Sequence, residues 1–280
     1  MKRILVGVAV TVAATLLTAG PAQATAPADP AKALAKVQTA GKGVSFTERV
    51  TFVEGRTREV MLRREGTLAF KKGGIAASDI TAKFNIKSSD IPEDAPDLLK
   101  GLATPERTIR VGSTAYISGG MIGTVLPQDK SWVKIPDGPA GGFFGIAAQP
   151  INAAEPATLK TLLKTGTKTA SGYQGKITLG QLYKASAWTR ASLSSKPDSK
   201  EAKSVLTWKL AFDSRGLPAR LVSQRTDGKT TFVYDTRYTG WGATVKITAP
   251  PADQVARPEE LDEDIDELPT PFQGHVTITN

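Results

Sequence analysis

Residues 205–247 constrain the chain most. Leu206, Trp208, Leu210 and Phe212 stand at every second position, separated by Thr207, Lys209 and Ala211. A β-strand turns successive side chains to opposite faces, so this spacing predicts a strand with one apolar and one wetter face. Asp213-Ser214-Arg215-Gly216 then breaks the run with turn residues. A second run has Leu217, Ala219 and Leu221 in phase, and Asp227-Gly228 signals a hairpin. A third carries Phe232 and Tyr234 on one face. Gly240-Trp241-Gly242 is expected to interrupt it, with Val245 and Ile247 resuming before Pro250-Pro251. Such an antiparallel meander leaves an apolar face that something must cover.

The earlier chain repeats the pattern. Residues 30–40 read as a helix with Ala33, Leu34 and Val37 on one stripe, capped by Asp29 and opened by Pro30. Strands are expected where Val44, Phe46, Glu48 and Val50 alternate, over 59–70 and over 75–86. A short helix is expected over 94–102, a strand or hairpin over 108–118 and a short strand over 130–135. Residues 143–148 are apolar and rich in Gly and Ala, suited either to tight packing or to a movable lid. A helix follows over 155–164, then strands over 166–178 with a bend at Tyr173-Gln174-Gly175. Residues 180–203 show no clear period; 194–200 suits an exposed loop.

The ends differ from this body. Lys2-Arg3, an apolar run over 4–17 and Ala22-Gln23-Ala24 have the layout of a secretory signal cleaved after Ala24, so export is expected. Residues 25–30 read as a linker, 31–252 as one domain and 253–280 as an acidic tail. Formal net charge is +9. Lys2 and Arg3 carry +2 and residues 257–280 carry −6, leaving +13 on residues 25–256. A body so basic suits anionic membrane surfaces, or is an ordinary lysine-rich surface. Nucleic acid is not expected as a partner, since no binding motif is present.

The chemistry available is narrow. With no cysteine, thiol and disulfide chemistry are excluded. His275 is the sole histidine, five residues from the end, which argues against histidine-dependent triads. The nucleophile elbow, the P-loop and the complete dinucleotide fingerprint are absent. Asp262-Glu263-Asp264 lacks EF-hand spacing. No catalytic residue, metal or cofactor is expected. A paired-carboxylate hydrolase stays open, because any two acids can meet in a fold.

Several pieces together resemble the LppX/LprG-type actinobacterial lipid carriers, a family with a LolA-like half-barrel. They are Lys130-Ser131-Trp132-Val133-Lys134; Ile151-Asn152 followed by Leu159 to Leu163; Gly172-Tyr173-Gln174-Gly175; Asp213 through Pro218; and Tyr238 through Pro250. The resemblance covers residues 31–252 and lacks the lipobox cysteine through which such carriers are anchored. It implies an α+β fold, a large curved antiparallel sheet with a few helices covering its concave face. It also implies an apolar cavity that binds an acyl lipid or glycolipid and moves it within the cell envelope. The lipid-binding candidates are Phe143, Phe144, Ile146, Leu159, Leu162 and Leu163, with Phe70 and Phe84 from the early strands; each is equally an ordinary core residue. A monomer is expected. The alternative is a non-enzymatic binding or sensory module on the same fold, recognising a protein or a cell-wall polymer.

Overall fold

The computed structural model describes residues 29–193 and 195–261. The signal-like segment at 1–24 and most of the acidic segment lie outside the described residues. Strands β1 (Lys42–Glu54), β2 (Thr57–Lys71) and β3 (Gly74–Phe84) form two tight hairpins. Their turns hold Gly55 and Gly73 at φ of 57° and 75°, left-handed backbone that glycine adopts without a Cβ penalty. Strands β4 (Glu106–Val111), β5 (Thr114–Gly119) and β6 (Trp132–Ile135) extend this first meander. A second meander consists of β7 (Thr167–Thr169), β8 (Gly172–Thr178), β9 (Val205–Phe212), β10 (Pro218–Asp227) and β11 (Thr230–Thr244).

The two meanders join where β11 pairs antiparallel with β1, placing Phe46 opposite Tyr238 and Glu48 opposite Thr236. A last short strand, β12 (Val255–Ala256), runs parallel to β6. The strand order is β12-β6-β5-β4-β3-β2-β1-β11-β10-β9-β8-β7, so the sheet stays open between β12 and β7. The architecture is α+β: a large, mainly antiparallel half-barrel with helices over one face.

Those helices are α1 (Pro30–Val37), α3 (Pro156–Thr165), α4 (Leu179–Ala185) and α5 (Ala187–Ser192), with a one-turn α2 (Asp97–Lys100) further along the sheet. Leu34, Leu159, Leu162, Leu182 and Trp188 bring their apolar sides onto Phe46, Leu68, Trp208, Leu210 and Phe212. Burying each such side chain is worth roughly 1.5–3 kcal/mol, which fixes the helices to this face. All four tryptophans are buried.

The structure departs from several expectations. The helix expected over 94–102 is cut to α2 and a 3-10 turn, Gly101–Ala103, because Pro96 sits at its start and cannot continue a helix backwards. Gly240-Trp241-Gly242 does not interrupt β11. Both glycines take positive φ, a register shift between Gly43 and Ser45 absorbs the extra length, and Trp241 turns inward to donate its indole N–H to the Pro218 carbonyl at 2.8 Å. Val245 and Ile247 lie beyond the strand. Tyr173-Gln174-Gly175 is not a bend but part of β8; the turn falls just before it, at residues 170–171. Within residues 180–203, where periodicity assigns nothing, the chain forms most of α4 and all of α5, started by side-chain caps from Thr178 and Ser186. Residues 253–261, placed with the acidic tail by composition, form β12 and two 3-10 turns against the sheet.

A buried polar seam beneath the 136–155 flap as the candidate functional site

Between β6 and α3 the chain crosses the helix-bearing face as a flap, residues 136–155, whose only regular element is a 3-10 turn, Phe144–Ala147. Its sequence explains how closely it lies. A Cβ on Gly142, at φ 71°, would fall 2.1 Å from Glu106 Oε1 and 2.2 Å from Thr108 Oγ1. One on Gly141 would fall 2.9 Å from Arg64 Nη1. Only glycine permits the flap backbone to press on the sheet here.

Beneath it the register lines up one row across the strands: Glu106 on β4, Ala82 on β3, Arg64 on β2, Glu48 on β1 and Thr236 on β11. Glu48 and Arg64 form an ion pair at 2.9 Å with side chains only 1% and 5% exposed. Glu48 also accepts from Thr236 Oγ1 at 3.0 Å and from the Gln149 backbone N–H of the flap at 2.9 Å. The Arg64 guanidinium stands over the Phe46 ring at 5.5 Å. Gln149 Oε1 accepts from Ser223 Oγ at 2.6 Å, and Tyr238 Oη accepts from Ala153 N–H at 3.2 Å. At the end of the flap Glu155 is buried and accepts from Ser186 Oγ, Thr158 Oγ1, Ala187 N–H and Trp188 N–H, tying the flap to α5.

Glu106 differs from the other two carboxylates. Its Oε1 accepts from Phe144 N–H at 3.0 Å, and no cation among the described residues reaches it. Burial pushes its carboxyl up to about 8, against the downward pull of the Phe144 and Phe143 N–H groups. At neutral pH it therefore holds a proton. Its Oε2 and the neighbouring Thr108 Oγ1 have no hydrogen-bond partner among the described residues, and neither do Arg64 Nε and Gln149 Nε2. Burial raises the Tyr238 phenol too. Among the described residues no group of three metal-ligating side chains comes together.

Seven of the eight lipid-binding candidates are divided between two apolar clusters. Phe70, Leu159 and Leu162, with Leu163 at the margin, belong to the main core, where Phe70 stacks on Trp241 at 5.9 Å between centroids. Phe84 and Phe144 meet edge-on at 4.7 Å in a second cluster, with Phe143 beside them. Ile146 is half-buried and in neither cluster. A cavity of about 10 Å³ beneath the flap is lined by seam residues such as Glu48, Arg64, Gln149 and Tyr238, and a wider depression of about 380 Å³ beside α1 is lined by Lys32, Lys36, Val37, Arg215 and Leu217; neither is lined by the eight. The smaller volume holds about one water. The seam itself was not among the candidates, yet a signal existed. Glu48 stands in phase with Val44, Phe46 and Val50, and Arg64 with Leu62 and Leu68, so both had to face inward.

Fold and site together define a class: a half-barrel whose concave side is closed by helices and by a flap held on buried carboxylates. No protein-family model and no curated protein matches the sequence. Among solved structures the chain is similar to a LolA superfamily protein from Nitrosomonas europaea, with TM-score 0.31, 10% identity, 81% of this chain and 95% of that one covered. It is similar also to a hypothetical protein from Chlamydia trachomatis, with TM-score 0.31, 11% identity and coverage of 79% and 98%. A DUF1329 family protein from Desulfovibrio piger gives TM-score 0.29, 12% identity and coverage of 74% and 88%. Scores of this size carry no weight for function; the half-barrel stands on its own strand register.

Proposed function

We propose that the protein is an exported, non-catalytic carrier that takes an acyl lipid or glycolipid between its concave face and the flap, and moves it within the cell envelope. The observation that supports this most is how the flap is attached. Side chains of the sheet hold it: Glu48, Glu106 and Tyr238 accept from its backbone N–H groups, Ser223 Oγ donates to Gln149 Oε1 and Arg110 Nε to the Gly138 carbonyl, and no sheet ladder runs through it. Lifting it exchanges a few hydrogen bonds with water, at about 0.5–1.5 kcal/mol each, uncovers buried apolar side chains such as Phe144 at roughly 1.5–3 kcal/mol each, and leaves the twelve strands paired. An acyl chain returns about 0.8 kcal/mol per methylene buried. On this reading the arrangement with only about 10 Å³ beneath the flap is the closed form, and opening would expose Phe143, Phe144 and Ile146 of the flap opposite Phe84. The export signal lies outside the described residues and supports the location only through its sequence.

Native mass spectrometry of the chain after incubation with vesicles of labelled phospholipid tests this reading. A carrier leaves with a lipid adduct; no adduct and no transferred label would end the proposal. The small cavity favours a second reading, a binding module whose interior is plain core and whose partner, a protein or a cell-wall polymer, meets its surface. Leu163→Trp separates the two. In a carrier, uptake falls with the unfolding midpoint nearly unchanged, whereas in plain core the overpacking lowers stability by about 1–3 kcal/mol.

A further inference from the structure

The face of the sheet opposite the flap carries a row of cations. Lys83 on β3 lies directly opposite Arg63 on β2, which lies directly opposite Arg49 on β1. All three are exposed, and none makes an ion pair or hydrogen bond among the described residues. The row continues through Asp235 and Val222 to Lys209, and Arg237 stands one row away, opposite Thr47. Asp235 lies directly opposite Arg49 and its carboxylate feels both Arg49 and Arg237, but the ion pairs on this face are made by other arginines. Arg220 grips Asp235 through two bonds of 2.8 and 2.7 Å, and Arg107 grips Asp79 through two of 2.9 and 2.7 Å. Glu65, two residues from Arg63 on the same face, makes no ion pair among the described residues. Like charges directly opposite on neighbouring strands destabilise a sheet, so three in a line are not explained by folding.

We propose that this face docks on an anionic lipid bilayer. The cations are spread over a surface rather than along a groove: at about 4.8 Å between strands, Lys83 to Lys209 spans roughly 24 Å. An outward-facing surface without a groove can meet the headgroups of a bilayer and has no channel to hold one thread of polymer. Among the cations stand Thr47, Thr81, Val222 and the acids Asp235 and Glu65, with no aromatic anchor of the type that protein interfaces use. The contact is therefore electrostatic, reversible and weakened by salt. It is independent of whatever the concave face carries.

The test uses the full chain on vesicles of phosphatidylcholine and of a phosphatidylcholine–phosphatidylglycerol mixture, at low and high salt. Binding is expected on the anionic vesicles at low salt only. Each basic residue near an anionic surface is worth about fivefold, so Arg49→Gln, Arg63→Gln and Lys83→Gln combined should lower partitioning about a hundredfold. A control neutralises Lys160, Lys164 and Lys184, exposed cations on the helical side, and should bind as the parent does. Equal losses in both variants would show that net charge alone acts and would overturn the proposal. So would binding to soluble polyphosphate with no binding to vesicles. The row variant should also melt higher than the parent at low salt and alike at high salt; a lower melting temperature would show that the row serves the fold.

Discussion

Glu106 carries the clearest consequence at the scale of one residue. Its folded carboxyl titrates near 8 against an ordinary value of 4.5, so the folded state binds the proton more tightly than the unfolded chain. Stability is then greatest below about 4.5 and falls as pH rises to 8, by ~1.4 kcal/mol per pH unit inside that window. Asp29, Asp198, Asp235 and Glu260 act in the opposite sense, each held below its usual range by hydrogen bonds. What they add is lost only as pH falls through those low values, outside the Glu106 window. Denaturant midpoints measured between pH 5 and 8 should slope downward in the parent, and Glu106→Gln should flatten that slope and be the more stable at pH 8. An unchanged slope in the variant would place the titration elsewhere.

At the scale of elements, small residues decide how closely pieces approach. The Trp208 ring on β9 lies in a slot between Gly166, at the end of α3, and Gly175 on β8. A Cβ on Gly166 would sit 2.4 Å from the ring and one on Gly175 2.8 Å from it. Gly175→Ala should therefore lower stability by about 1–3 kcal/mol, because the ring is fully packed and cannot step aside. Gly74→Ala is the contrast: a Cβ added there would meet nothing within 4 Å, and its φ is ordinary. That change should be neutral or add ~0.4–1 kcal/mol by restricting the unfolded chain. Equal effects at both positions in chemical denaturation would contradict the slot. The flap follows the same rule, with Gly141 and Gly142 admitting it to Arg64 and Glu106. The glycines were plain in the sequence; the ring and carboxylate they face were not, because those contacts join residues far apart along the chain.

For the molecule as a whole, β12 closes one edge of the sheet. Val255 and Ala256 pair with Trp132 and Val133, Ser131 N–H donates to the Gln254 carbonyl at 3.0 Å, and Lys130 Nζ donates to the Asp253 carbonyl at 2.9 Å. Unpaired strand edges are templates for association. A chain ending at Ala249 should show a lower denaturation midpoint and concentration-dependent association, while one ending at Leu261 should behave as the parent. If the shorter chain keeps the parent midpoint, β12 adds nothing to the fold.

The sequence by itself determined which residues face inward. Alternation placed Leu206, Trp208, Leu210 and Phe212 on the buried face, and the same phase carried Glu48 inward with Phe46 and Val50. It also determined the hairpin between β10 and β11, since Asp227-Gly228 stands where left-handed backbone is needed. These are local properties, set by side-chain geometry within a few residues. Only the tertiary structure decided that β11 pairs with β1, that β12 lies parallel to β6, and that Glu48 meets Arg64 beneath Gln149. It alone decided that Phe70 and Phe84 fall in different clusters. Each of these depends on which strands become neighbours, and period-two alternation assigns a face to a side chain without choosing the strand beside it.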